Sequence, residues 1–226
     1  MAVVQDLGRL GYLEAWDVQR SIQSEVISGN RGDTLLFVEH DPVLTLGANF
    51  HESNLLLTPE QYSERGIEVI RTDRGGDVTY HGPDQLVIYP IFDIRRHGKD
   101  LHRWLRMLEE AIIQVCQSHG LIGERSSVNT GVWIEEAKVA AIGIKVSKWV
   151  SIHGIALNCS NDLEPFSLIV PCGIQDYGVT SLSEKLGRTV PPNEVKPKVV
   201  AAFENVFAMT LLHEEAQAPA ERLRSR

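Results

Sequence analysis

Cysteine is scarce in this chain. Only Cys116, Cys159 and Cys172 occur in 226 residues, with neither the paired spacing of a disulfide framework nor the close spacing of a zinc site, so no metal is expected. Long apolar runs are missing too. No stretch reaches the ~18 uninterrupted apolar residues of a membrane-spanning helix. The start, Met-Ala-Val-Val-Gln-Asp-Leu-Gly-Arg, carries an acid and lacks the basic region and apolar core of a secretory leader. The expectation is a cytoplasmic protein with no membrane contact. Positive charge is also short: 22 Lys and Arg against 30 Asp and Glu leave a formal net charge of −8, which argues against a general nucleic-acid binder. No internal repeat and no linker rich in Pro, Gly or Ser marks a domain boundary, so residues 1–215 read as a single domain. Residues 216–226 offer too few apolar anchors and read as a disordered tail. A content of 43% hydrophobic and 23% charged residues is enough for a substantial core.

Helical and extended patterns interleave, which points to an α/β chain. Trp16, Gln19, Ile22 or Gln23, and Val26 fall at helical spacing over Tyr12 to Ile27. Leu101, Trp104, Leu105, Leu108, Ile112 and Val115 form a clearer stripe, predicting a helix from about Asp100 to His119 that packs one face on a sheet. Asn193 can cap a third helix running to about Leu212, provided that Pro197 lies in its first turn. Expected strands are Thr34 to Glu39, Ile67 to Thr72, Gln85 to Phe92, Gly131 to Glu135, Val139 to Val146 and Val150 to Asn158, the last two forming a hairpin.

The run Arg74-Gly75-Gly76-Asp77-Val78-Thr79-Tyr80-His81-Gly82-Pro83-Asp84-Gln85-Leu86 concentrates residues that chemistry uses. Paired glycines let backbone N–H groups approach a ligand where a Cβ would block them, although a plain turn between buried strands fits the same residues. Cys172, between Pro171 and Gly173 and after the apolar run Phe166 to Val170, reads as a thiol where a strand gives way to a turn. By itself such a cysteine is more often structural. A thiol of pKa about 8.5 is only ~3% thiolate at pH 7, so a nucleophile needs a cation or base beside it. Lys138, which leads the apolar segment to Gly143, is the candidate partner. His40 and His51 read as loop histidines.

Several segments taken in order resemble the octanoyltransferases of lipoate biosynthesis. They are Glu39 to Val43 with Thr45-Leu46-Gly47, the Arg74 run, Thr130-Gly131-Val132-Trp133, Lys138 to Gly143, Ser151 to Asn158, Pro171-Cys172-Gly173, and Gly178 to Leu182. The resemblance implies a mixed, largely antiparallel sheet flanked by helices, similar to the biotin/lipoate protein ligase catalytic domain. It implies an ATP-independent enzyme that moves an octanoyl or lipoyl group from acyl carrier protein to a specific lysine of lipoyl-accepting domains, the first step of endogenous protein lipoylation. Cys172 would carry the acyl group as a thioester and Lys138 would act as general acid/base. Substrate-contacting positions would be Arg74, Gly75, Gly76, Asp77, Val78, Thr79, Tyr80, His81, Ala141, Ile142, Gly143, Gly154, Ile155 and Ala156, with His153 in support. N–H groups around Gly143 or Gly154 are candidates for holding an oxyanion. No resident cofactor is implied, since the acyl group arrives on the phosphopantetheine of acyl carrier protein. The acceptors would be lipoyl domains of 2-oxoacid dehydrogenase E2 subunits and glycine cleavage H protein, and the enzyme a monomer.

Asp84 departs from the family pattern, which has glycine after His-Gly-Pro. Glycine there implies either a backbone with φ > 0 or close packing, and aspartate is among the few other residues that tolerate the left-handed region. Because carrier proteins are acidic, docking would need local basic residues: Arg95, Arg96, Lys99, Arg103 and Arg106 in one cluster, or Lys145 and Lys148 in another. Two other readings remain open, an ATP-dependent lipoate- or biotin-type ligase, which needs no Pro-Cys-Gly nucleophile, and a non-catalytic acyl-carrier-binding module.

Overall fold

Strands buried along nearly their whole length build one large sheet whose two faces meet different partners. The computed structural model describes residues 2–126, 129–170 and 178–214. In chain order the elements are β1 (Ala2–Arg9), α1 (Tyr12–Ser28), β2 (Thr34–Glu39), β3 (Val43–Leu46), α2 (Pro59–Glu64), β4 (Glu68–Arg71), β5 (Val78–His81), β6 (Gln85–Ile91), α3 (Leu101–Ser118), β7 (Gly131–Ile134), β8 (Ala137–Ser147), β9 (Val150–Asn158), β10 (Gly178–Val179), α4 (Leu182–Leu186), α5 (Pro192–Phe207) and β11 (Leu211–His213). An eight-stranded sheet runs β10-β8-β9-β6-β2-β1-β11, with β7 paired to β8. Its centre is antiparallel. Its margins are parallel, where β1 meets β2 and β11 and where β10 meets β8. This is the mixed, helix-flanked α/β architecture that the sequence implies. The sequence reading lacks the separate three-stranded sheet β4-β3-β5.

Side-chain alternation along β9 sends Ile155 and Leu157 to one face and Gly154 and Ala156 to the other. On the first face α3 and α5 bury Trp104, Leu108, Ile112 and Phe203 against Ile88, Ile155 and Leu157. On the second, α1 packs Ala15, Ile22 and Val26 against Leu36, Val38, Val87 and Ile152. Asp100 caps α3 by accepting from the backbone N–H groups of His102 and Arg103. The β8–β9 hairpin closes through Lys148 and Trp149, both at positive φ, +48° and +69°, the geometry of a two-residue primed turn.

The last helix differs from expectation. It starts at Pro192 and ends at Phe207, where Ala208 takes φ +49°, and the chain then extends into β11. Asn193 therefore lies inside the helix rather than capping it. Pro197 sits past the first turn and forgoes one ladder bond. Phe166 to Val170 is likewise no strand: Glu164–Leu168 forms a short 3-10 turn, with Ile169 in an isolated bridge to Leu55.

Asp84 adopts φ +63° in the turn between β5 and β6, so the position does require left-handed backbone. Its N–H donates to the Glu39 carboxylate at 3.1 Å, a bond any residue there can make. Asp84→Gly should therefore be neutral or stabilising. Asp84→Ala should cost about 1 kcal/mol of unfolding free energy, since alanine gains nothing from αL. Urea denaturation of the two variants checks the order; equal midpoints would mean that the backbone conformation carries no penalty.

Candidate active site

The slot forms where α1 leaves the second face of the sheet uncovered and the glycine-rich loop lies over it. Gly75 N–H donates to the Ile144 carbonyl at 2.9 Å, pinning the loop to β8. A Cβ on Gly143 would stand 2.6 Å from the Gly75 oxygen, and one on Gly47 would stand 2.2 Å from the Gly76 oxygen. These contacts are backbone against backbone, so neither glycine can be enlarged cheaply. Gly154 answers a different demand, because its Cβ would strike the Ile88 carbonyl at 2.2 Å. The absence of a side chain at Gly143 and Gly154 thus serves close packing of chain on chain.

Arg74 is buried, and its guanidinium donates to the Thr45 carbonyl and hydroxyl, the Asp77 carbonyl and the Gly75 carbonyl. Asp77 accepts from Val78 N–H at 2.8 Å, from His51 N–H at 3.3 Å and from the Asn54 amide. The loop is thereby fixed before any ligand arrives.

Arg74, Gly75, Gly76, Asp77, Val78, Thr79, His81, Ala141, Ile142, Gly143, Gly154, Ile155 and Ala156 all line the slot, as do Lys138 and His153. Tyr80 does not. It points to the opposite side of β5, buried in the core of the small sheet with its ring edge-on to Phe166. Tyr12, Gln85, Tyr89, Thr130, Asn158, Phe166 and Val179 also line the slot and were not singled out from sequence. Tyr12 and Tyr89 carried no local signal, since each reads as an ordinary core aromatic of its own element.

Lys138 reaches the slot through an irregularity. Val132 pairs with Ala140 and Trp133 with Lys138, so Val139 is an extra residue on β8. Val139 and Ala140 both enter the core under α3. The bulge turns Lys138 onto the face shared by Ala141 and Gly143, the re-aiming that β-bulges provide. Its Nζ lies 4.4 Å from the Trp133 ring centroid, a cation–π contact that favours the ammonium form. Its Cε would lie 3.5 Å from a Cβ built on Gly131, which pairs with Ala141, so the side chain extends along the sheet toward the Gly143 end of β8.

Pro171, Cys172 and Gly173 lie outside the described residues. One described flank reaches Lys138 and the other is tied to Asn54. Val170 N–H donates to the Asn54 carbonyl at 2.9 Å, and Val179 pairs with Lys138 itself, whose carbonyl accepts from Thr180 N–H at 3.0 Å. Phe166 before the segment and Val179 after it both line the slot. The two described cysteines are poor nucleophiles, because burial pushes the thiols of Cys116 and Cys159 up to about 12.

A buried polar cluster closes the other end of the slot. His81 Nδ1 faces Gln85 Oε1 at 2.8 Å and its Nε2 faces the Thr45 hydroxyl at 3.3 Å. Gln85 Oε1 can only accept, and Thr45 Oγ1 already accepts from Arg74, so the network assigns the proton to Nδ1. His153, at φ +57°, meets Asp73 through Nε2 at 2.8 Å and the Tyr12 hydroxyl through Nδ1 at 3.3 Å, and its N–H donates to Gln19. His40 lies in the loop between β2 and β3, as expected, but is fully buried, with Nδ1 on the Leu10 carbonyl and Nε2 on the Tyr89 hydroxyl, both at 2.8 Å. His51 is exposed, as expected of a loop residue. Burial draws the His40 pKa down to about 4, lowers His153, and holds His81 well below the usual imidazole range, with His40 and Arg74 adding repulsion. Burial also raises the Tyr12 hydroxyl to about 12.

Of the basic residues considered for docking, Arg95 is bound to Asp93 at 2.8 Å, Arg96 lies 3.4 Å from Asp33, and Arg106 meets Glu109 at 2.7 Å. They sit on and before α3, across the sheet from the slot. Among the described residues, no helix is long and apolar enough to cross a membrane.

The fold is shared with lipoate and biotin protein ligase catalytic domains. A bipartite lipoate protein ligase from Thermoplasma acidophilum superposes with a TM-score of 0.73 at 17% identity, covering 98% of this chain and 89% of that one. The biotin protein ligase of Aquifex aeolicus gives 0.55 at 16% identity over 92% and 70%. The lipoyl protein ligase A/B catalytic domain family matches residues 11–204. An octanoyltransferase of Chloroflexus aurantiacus is 47% identical over 91% of this chain and 94% of its own, and one from Geobacter metallireducens 42% identical over 96% and 99%. The chain belongs to the octanoyltransferase family, transferases within the lipoyl protein ligase A/B catalytic-domain fold.

The three buried histidines impose a sign on acid stability. Each has a folded-state pKa below its ordinary value of 6.5, so the unfolded chain binds more protons as pH falls. Stability present at pH 7 should be lost progressively below about 6.5, and for His40 down to about 4. Denaturation midpoints measured from pH 7 to pH 5 should decline, and His40→Asn should flatten the decline. An unchanged slope in that variant would mean that His40 is not held neutral by the fold.

Proposed function

We infer that the protein transfers an octanoyl or lipoyl group from acyl carrier protein to the ε-amine of a lysine on a lipoyl-accepting domain, through a thioester on Cys172. The observation that supports this reading is Lys138, turned by a bulge into the slot and paired with Val179 on the strand that follows the Pro-Cys-Gly segment. Neutral Lys138 takes the Cys172 thiol proton, and the thiolate attacks the donor thioester carbonyl. The bond to the donor sulfur breaks, and the leaving thiolate takes the proton from the Lys138 ammonium. In the second half, the acceptor amine attacks the Cys172 thioester, a C–N bond replaces the C–S bond, and Lys138 removes the surplus amine proton. The released thiolate is left paired with the ammonium. One residue both stabilises a thiolate and accepts a proton, so the pair titrates as a unit.

Exchange of one thioester for another is nearly neutral and amide formation from a thioester runs downhill, so the reaction needs neither ATP nor a resident cofactor. The acyl chain would run from Lys138 along the β8–β9 floor toward Tyr12 and His153. The polar groups at that end are bonded to one another, so ring faces rather than bare donors meet the chain. The acceptors would be lipoyl domains of 2-oxoacid dehydrogenase E2 subunits and glycine cleavage H protein. The enzyme would act as a cytoplasmic monomer at the first step of protein lipoylation.

Intact mass spectrometry with octanoyl-acyl carrier protein and no ATP should show one added octanoyl group on the wild type and none on Cys172→Ser. Lys138→Ala should slow adduct formation by at least about a hundredfold, the usual worth of a general acid/base. Acceptor modification that appears only with ATP and free acid would replace this reading with the ligase one.

A further inference from the structure

Behind the glycine-rich loop lies a second cavity, of about 470 Å³, lined by Asn49, Ser53, Asn54, Gly76, Asp77 and neighbouring residues. It adjoins the acyl slot at two places. Gly76 and Asp77 border both cavities, and Asn129, on the cleft, precedes slot-lining Thr130. Asn54 also holds Val170, two residues before Cys172. The cleft therefore opens at the reacting end of the slot and not at the histidine end.

We propose that this cleft receives the amide-bearing arm of the thioester donor while the acyl chain occupies the slot on the other side of the loop. The inference rests on the acyl-transfer reading above. The cleft, at about 470 Å³, leaves room for an arm beside a slot given over to the chain. Its chemistry suits a neutral amide ligand. Carboxamide side chains each offer two donors and one acceptor oxygen, the complement of a peptide-like arm. The Asp77 carboxylate, the acidic group in the wall, is already bonded to Val78 N–H, His51 N–H and the Asn54 amide. Among the described residues no lysine or arginine lines the cleft, so it offers a phosphate at the far end of the arm no charged partner there. Asn49 and Ser53 are exposed, and their side chains are available to a ligand without disturbing the loop.

The test compares acylation of Cys172 by S-octanoyl-pantetheine and by the octanoyl thioester of a short thiol without amides, followed by intact mass. The wild type should favour the pantetheine thioester in kcat/KM by about tenfold, the worth of one or two good hydrogen bonds. Asn49→Ala and Ser53→Ala, separately and together, should erase most of that preference and leave the short-thioester rate unchanged. That unchanged rate also reports an intact fold. A preference that survives both substitutions, or its absence from the wild type, overturns the proposal while leaving acyl transfer standing. Substitutions that slow only transfer from acylated Cys172 to the lipoyl domain assign the cleft to the acceptor and likewise overturn it. Failure of both thioesters to acylate Cys172 brings down the acyl-transfer reading, and this inference with it.

Discussion

The site depends on one constraint, backbone seated on backbone without an intervening Cβ. Gly75 and Gly76 lie against Gly143 and Gly47 at distances that no side chain could share. The loop is held there by the guanidinium of Arg74, whose hydrogen bonds go to carbonyls and a hydroxyl of the protein itself. Ordering a loop costs roughly 1–2 kcal/mol per residue in backbone entropy. Here that cost is met in folding, so a bound chain need not meet it again.

From that seat the rest of the site follows. The roofed slot requires an open face of the sheet, which exists because α1 stops short of β8 and the small sheet brings the loop across the gap. The Lys138 amine also lines the slot, although strict alternation along β8 would have sent it into the core beneath α3. The extra residue Val139 resolves that conflict. The histidines, buried and neutral, close the far end with bonds spent on Asp73, Gln85, Thr45 and Tyr89.

Much of this was legible in the sequence where a pattern is long. The α3 stripe, the β8–β9 hairpin and the glycine-rich run each carry a period or a turn signal that survives without the fold. Short or irregular features were not legible. Strand β3 has four residues, too few for alternation to speak. A bulge adds one residue without altering composition, so Val139 looked like any strand valine. Tyr80 and His81 are neighbours in one motif, yet a strand points them to opposite faces, which a motif cannot report. The burial of loop residue His40 was not legible because its partners, Leu10 and Tyr89, lie 30 and 49 residues away.

The most direct test is a crystal structure of the protein after reaction with an octanoyl thioester. The account predicts electron density joining the Cys172 sulfur to an acyl chain that passes Lys138 and runs between the Gly75–Gly76 roof and the β8–β9 floor toward Tyr12 and His153. A chain bound elsewhere, or one entering the slot with its carboxyl end at the histidines and no bond to Cys172, would contradict it.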